Sequence, residues 1–131
     1  MIRWPAFMIS CGVLAVVVGI GPVAGNAQTG PSPSLAGDEE AGRETYVESC
    51  RSCHSGAIAP ALKGISERGV ATVPGYSYSA GLKAMAGKSW TAEELDAYLA
   101  DPRAYAAGSK MVMKLEDAQK RADMVAYLMT M

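Results

Sequence analysis

Histidine is nearly missing from this chain: among 131 residues there is one, His54. A structural zinc site closes with four ligands, and with a lone imidazole beside the cysteines the fourth is not supplied. Excess positive charge is missing too. Twelve basic residues face thirteen acidic ones, and one of the twelve, Arg3, lies in a leader segment read below as removed. A mildly acidic chain lacks the basic stripe by which nucleic acid is held. No stretch alternates apolar and polar residues as a half-buried strand does. There is no internal repeat and no glycine loop of the phosphate-binding kind. What remains is a small all-α protein.

The first 27 residues read as a targeting segment. Arg3 gives a short positive start, Pro5 to Ile20 carry no charge, Gly21-Pro22 breaks the run, and Gly25-Asn26-Ala27 offers small residues for cleavage. This is the pattern of a secretory signal peptide cut after Ala27, with Cys11 lost along with it. The alternative is an uncleaved membrane anchor, since Trp4 to Gly25 is close to the roughly 20 apolar residues that span a bilayer. Residues 28–37, Gln-Thr-Gly-Pro-Ser-Pro-Ser-Leu-Ala-Gly, form a flexible linker without helical periodicity. It would reach on the order of 15–20 Å. Residues 38–131 are one folded domain.

Within that domain, Cys50-Arg51-Ser52-Cys53-His54 reads C-x-x-C-H, the attachment site of a c-type haem. Two thiols at this spacing can form thioethers to the two vinyl groups of one haem, and the adjoining imidazole can bind its iron. A dithiol redox site would sit beside a βαβ pattern, which is not visible. A structural disulfide suits an exported protein, but leaves His54 without a role and a small domain short of core.

The rest of the chain is helical pieces and loops. Asp38 to Ser49 reads as a first helix with an acidic N-terminus, and Gly42 and Tyr46, one turn apart, mark a face that another helix crosses closely. The loop Ala59-Pro60-Ala61-Leu62-Lys63-Gly64 puts the Pro60 carbonyl near His54, as an acceptor for its second ring N–H or as an ordinary turn. Arg68 is a solvated charge or a donor to a haem propionate. The hydroxyls of Pro74 to Ser79, which open a short helical piece through Met85, and the indole N–H of Trp90 face the same choice between local capping and a buried carboxylate. Thr91-Ala92-Glu93-Glu94 is a capping box ahead of Leu95, Tyr98 and Leu99. That helix ends at Asp101-Pro102. Arg103 to Leu115 lacks periodicity, and a last helix runs from Glu116 to Thr130 with Ala118, Ala122, Val125, Ala126 and Met129 on its apolar face. A methionine thioether is the usual second ligand in electron-carrying haem proteins. Met111 and Met113 sit in the irregular stretch, and spacing favours Met111 only slightly; Met124, Met129 and Met131 read as packing residues.

With these motifs in this order, Gly37 to Leu128 resembles the class I c-type cytochromes. The resemblance implies a small all-α fold wrapped around one covalent haem c, with Gly42 and Tyr46 of the first helix crossing the last near Tyr127. It implies thioethers at Cys50 and Cys53, iron bound by His54 and Met111, and His54 oriented by the Pro60 carbonyl. Arg68, Tyr78 and Trp90 match the family's propionate donors, and Tyr98 the tyrosine that bonds the methionine sulfur. Gly108-Ser109-Lys110-Met111 matches the family's G-T-K-M loop, with Ser109 keeping the threonine hydroxyl. Three positions depart: Ala107 replaces a proline and implies a less rigid loop, Leu82 an asparagine, and Met113 an aromatic at the haem edge. The implied activity is one-electron transfer between redox protein partners, by a monomer in the periplasm. It is not an enzyme. The alternative is a tethered or permanently bound haem subunit of an oxidoreductase complex. Lys63, Lys83, Lys88, Lys110 and Lys114 fall in segments around the implied haem edge and predict a local basic rim.

Overall fold

The computed structural model describes residues 36–131, and both the targeting segment and most of the linker lie outside that range. Helix α1 spans Glu39–Thr45. Asp38 caps it, accepting from the amides of Glu40 and Ala41 at 2.9 and 3.0 Å, and the acidic first turn complements the helix dipole. The expected helix over 38–49 then changes character. Tyr46–Cys50 forms a wider turn, closed by the Arg51 amide on the Tyr46 carbonyl five residues back at 2.9 Å. Such turns are uncommon and collect at functional sites; this one delivers Cys50 into the interior.

Four further elements follow: α2 (Ala80–Ala84), α3 (Ala92–Ala100), α4 (Pro102–Tyr105) and α5 (Ala118–Thr130), with a short 3₁₀ turn at Ile65–Glu67. Among the described residues there is no strand, only an isolated bridge between Gly69 and Ser89. Thr91 caps α3 by accepting from the Glu94 amide at 3.2 Å. Asp101 ends α3 and immediately caps α4, with Pro102 in its first turn. That one-turn helix was hidden inside the stretch read as irregular. Proline stops the preceding helix and, lacking an N–H that would go unpaired anyway, starts the next.

Helix α5 starts two residues later than expected, with Asp117 as its cap. Its buried face is only partly the expected one: Val125 is buried and Ala122 and Ala126 are half-buried, as expected. Asp123, Met124, Val125 and Leu128 face inward, whereas Met129 is 40 % exposed and Ala118 lies on the surface. The shift has a polar cause. Asp123 accepts from the Asp38 amide and from Gln119 Nε2, both at 2.8 Å, so a carboxylate occupies part of the face where apolar residues were sought.

Helices α1 and α5 meet backbone to backbone at Gly42. A methyl group there would lie 2.0 Å from the Asp123 carbonyl oxygen. The Tyr46 and Tyr127 rings pack beside the crossing, 5.5 Å apart. The core below is made by Ile65, Val70, Leu95, Leu99, Met124 and Leu128.

Ala71 is the one non-glycine residue with positive φ among those described, at 59°. An L-residue pays about 1–2 kcal/mol there. Ala71→Gly is therefore expected to stabilise the protein by about 0.5–1 kcal/mol, after allowing for the greater freedom of glycine in the unfolded chain. A rise in the denaturation midpoint of the holoprotein checks this, and a fall contradicts it.

Candidate haem site

A cavity of about 350 Å³ opens between the segment after α1, the loops around α2, helix α3 and the stretch before α5. All ten side chains singled out from the sequence line it: Cys50, Cys53, His54, Pro60, Arg68, Tyr78, Trp90, Tyr98, Ser109 and Met111. Most of the remaining wall is apolar, including Leu62, Ile65, Leu95, Leu99, Met124 and Leu128.

The attachment motif is held by its own backbone. The amides of Cys53 and His54 both donate to the Cys50 carbonyl, at 3.2 and 3.0 Å, and the Ala59 amide returns to the Cys53 carbonyl. Neither cysteine is in a disulfide, and Cys50 is buried while Cys53 is exposed. Burial, with a smaller effect of Cys53, pushes an unattached Cys50 thiol up to about 11. His54 Nδ1 lies 2.9 Å from the Pro60 carbonyl. A carbonyl only accepts, so Nδ1 carries the proton and Nε2 keeps its lone pair for a metal.

Met111 reaches the cavity on a segment fastened at several points. Its amide donates to Ser109 Oγ at 3.3 Å, and that oxygen lies 3.0 Å from the Tyr98 hydroxyl. Tyr98 thus meets the segment through Ser109, and no hydrogen bond from its hydroxyl to the Met111 sulfur is present among the described residues. Burial raises the Tyr98 phenol above its ordinary value, opposed by the Ser109 bond, so it remains a neutral donor. Gly108 takes a φ of 74°. The Ser109 amide donates to the Ala106 carbonyl at 2.9 Å, and the Gly81 amide to the Ala107 carbonyl at 3.1 Å. A Cβ at Gly81 would stand 2.5 Å from the Ala107 backbone. Close packing against α2 thus restrains the loop where Ala107 replaces proline. Lys110 adds a strap: its Nζ donates to the Ser77 carbonyl at 2.6 Å and sits 5.5 Å from the centre of the Tyr76 ring.

The three expected carboxylate donors are placed unequally. Arg68 donates to the Ala61 carbonyl. The Tyr78 hydroxyl accepts from the Val73 amide at 3.2 Å and keeps its own proton to give. Trp90 is buried in the wall of the cavity. Tyr105 escaped the sequence reading. Its ring completes a cluster with Trp90 and Tyr98, at 6.5 and 5.7 Å, and its hydroxyl is buried without a partner among the described residues. Its position at the end of α4 was invisible while that helix was. Ile58 was also missed, because nothing in a short loop marks one apolar residue as the cavity's edge.

Two thiols, an imidazole nitrogen and a thioether around an apolar chamber, with hydroxyl and N–H donors in its wall, suit a covalently bound haem. Residues 39–131 match the family described as Cytochrome c, and the chain belongs to that family. Its members carry one covalently attached haem c and move electrons rather than transform substrates. Over 103 residues the chain is 40 % identical to cytochrome c-type cyt cy of Rhodobacter capsulatus, covering 75 % of this chain and 51 % of that protein, so it spans about half of that relative. It is 40 % identical over 107 residues to cytochrome c2 iso-2 of Rhodospirillum centenum, covering 65 % of this chain and 88 % of that one. Cytochrome cH from Methylobacterium extorquens superposes with a TM-score of 0.64 at 34 % identity, over 72 % of this chain and all of that structure.

Proposed function

We propose that this chain is an exported mono-haem electron carrier whose iron is held by His54 and Met111. The observation that carries the reading is the imidazole of His54, fixed through Nδ1 by Pro60, in the same cavity that receives Met111. The haem, when bound, supplies the one-electron couple of its iron. The chain's own residues do the rest. Cys50 and Cys53 hold the group by thioether bonds. His54 presents Nε2 in one tautomer because Pro60 takes the other proton. Met111 offers a soft sulfur that favours the reduced metal, and Ser109, bonded to Tyr98, holds its backbone. Arg68, Tyr78 and Trp90 supply donors for the propionates. Ile65, Leu95, Leu99 and Leu128 keep water out, which disfavours added charge in the cavity.

Residues 1–27 act as a cleaved signal, residues 28–37 as a linker and residues 38–131 as the working domain. The protein then serves as a monomer in the periplasm between redox protein partners, and nucleic acid is not among them. Among the described residues no helix is long and apolar enough to cross a membrane.

Acid–acetone extraction of the purified native protein is expected to leave the colour on the polypeptide, and its mass to equal residues 28–131 plus one haem. Colour that moves into the solvent overturns the thioether assignment. A full-length chain that needs detergent overturns the freely moving carrier.

A further inference from the structure

We propose that Arg121, on the last helix and not among the residues lining the haem cavity, is a positioning residue for Met111. Its guanidinium latches the far end of the segment that carries the sulfur, and so keeps the sixth iron position closed to outside ligands. The inference rests on the His54 and Met111 reading above and adds the device that holds the second ligand in place.

The stretch 111–117 has no regular secondary structure. Within it Met111, Met113 and Leu115 are half-buried while Val112 and Lys114 are exposed, the alternation of an extended chain. Such a chain rises about 3.3 Å per residue, so the steps from Met111 to Leu115 hold little slack. A shift at Leu115 therefore reaches Met111. One end of the segment is fastened at Ser109, which Tyr98 holds. The other is fastened at Leu115. The Leu115 amide donates to the Leu99 carbonyl at 2.8 Å, and Arg121 Nη1 donates to the Leu115 carbonyl at 2.9 Å. The same nitrogen donates to the Glu116 carbonyl at 2.9 Å, and Arg121 Nε to Asp96 Oδ1 at 2.9 Å.

A guanidinium offers its N–H groups in a fixed planar fork, so one side chain can hold acceptors from several segments at once. Here it joins α5 to α3 and to two successive peptide units ahead of α5. The Arg121 side chain is 16 % exposed, against 50 % for Asp96. An ion pair with one half-exposed partner contributes little by itself. Its use is to aim the fork, and the fork holds the carbonyls. Helix α3 serves both ends of the segment, with Tyr98 at Ser109 and with Leu99 and Asp96 at the Leu115 end. An external ligand reaches the iron only while Met111 is away from it. Its apparent affinity therefore scales with the population of that detached state. Opening the latch gives the segment slack and raises that population.

The test titrates the ferric holoprotein with azide and records the red-edge thioether absorption before azide is added. Arg121→Gln is expected to keep that band and to raise the azide affinity about tenfold, the worth of one hydrogen bond to a charged group. Arg121→Lys keeps the charge without the fork and should fall between Arg121→Gln and the parent; it carries the test alone if Arg121→Gln does not accumulate as holoprotein. Thr91→Ala is the control for stability. It removes the cap of α3, leaves the fastenings of the segment in place, and should bind azide as the parent does. Arginine variants that bind azide no better than the parent overturn the latch. An equal rise in Thr91→Ala also overturns it, because general loosening then explains the effect. A parent that shows the band while its variants stay closed to azide overturns the latch alone. A parent without the band overturns the Met111 reading as well.

Discussion

Met111→Ala is expected to abolish the weak red-edge absorption that a thioether gives with ferric haem iron. It should lower the reduction potential by on the order of 0.2 V, within the range of about 0.8 V that axial ligands span. The soft sulfur that favours ferrous iron is then gone, and a small external ligand such as azide or imidazole can take its place. Met113→Ala is the control. Met113 lines the same cavity from the same segment, so its loss should expose the haem edge and keep the band. If the band survives in Met111→Ala and disappears in Met113→Ala, the sulfur ligand is Met113. If it survives both, another group occupies the position and the electron-carrier assignment loses its chemical basis. Ser109→Ala offers a milder step. It removes the oxygen shared by Tyr98 and the Met111 amide and should weaken the band before abolishing it.

Gly42→Val is expected to cost about 3 kcal/mol, at the upper end of what overpacking usually does. The reason is the unyielding neighbour. At Gly42 a Cβ meets a carbonyl oxygen at 2.0 Å and the carbonyl carbon at 2.7 Å, not the tip of a flexible side chain. Relief requires α1 and α5 to separate, which strips the Asp123 carboxylate from the Asp38 amide. Out of a typical 5–15 kcal/mol of stability, that is a large share. A guanidinium titration of the holoprotein should show the midpoint falling with an unchanged slope, and Gly42→Ala should fall between the two. A midpoint within experimental scatter of the parent would mean that the helices cross elsewhere.

The features that were legible in the sequence are those that physics writes in adjacent residues. C-x-x-C-H is one contiguous string. The Thr91 capping box needs only a hydroxyl and the amide three residues on. Gly42 could be read because a glycine inside an otherwise sound helix wants a steric reason, and α5 provides it. What escaped depends on residues distant in sequence or on one residue acting twice. Asp101 ends α3 and caps α4, so a single stop signal concealed a start. The widened turn after Thr45 has no marker in a 3.6-residue pattern. The inner face of α5 was legible at Val125 and incomplete elsewhere, because Asp123 is buried on behalf of α1 and an apolar stripe cannot register a carboxylate that serves another helix. The lysines counted toward a basic rim show the same limit: that Glu94 stands beside Lys88 and Glu116 beside Lys114 cannot be read from a count of charges.

The crossing of α1 on α5 also sets a timetable. The Asp38 amide and the Asp123 carboxylate that join there are 85 residues apart, so almost the whole domain must have left the ribosome and any translocation channel before the two ends can meet. Until then the contact has no partner to form with, and closing so long a loop is entropically unfavourable without it. The segment 50–54 therefore emerges early and waits on an open chain. Until the last helix arrives that crossing cannot form, so Cys50 and Cys53 lie on a chain whose two ends are not yet joined.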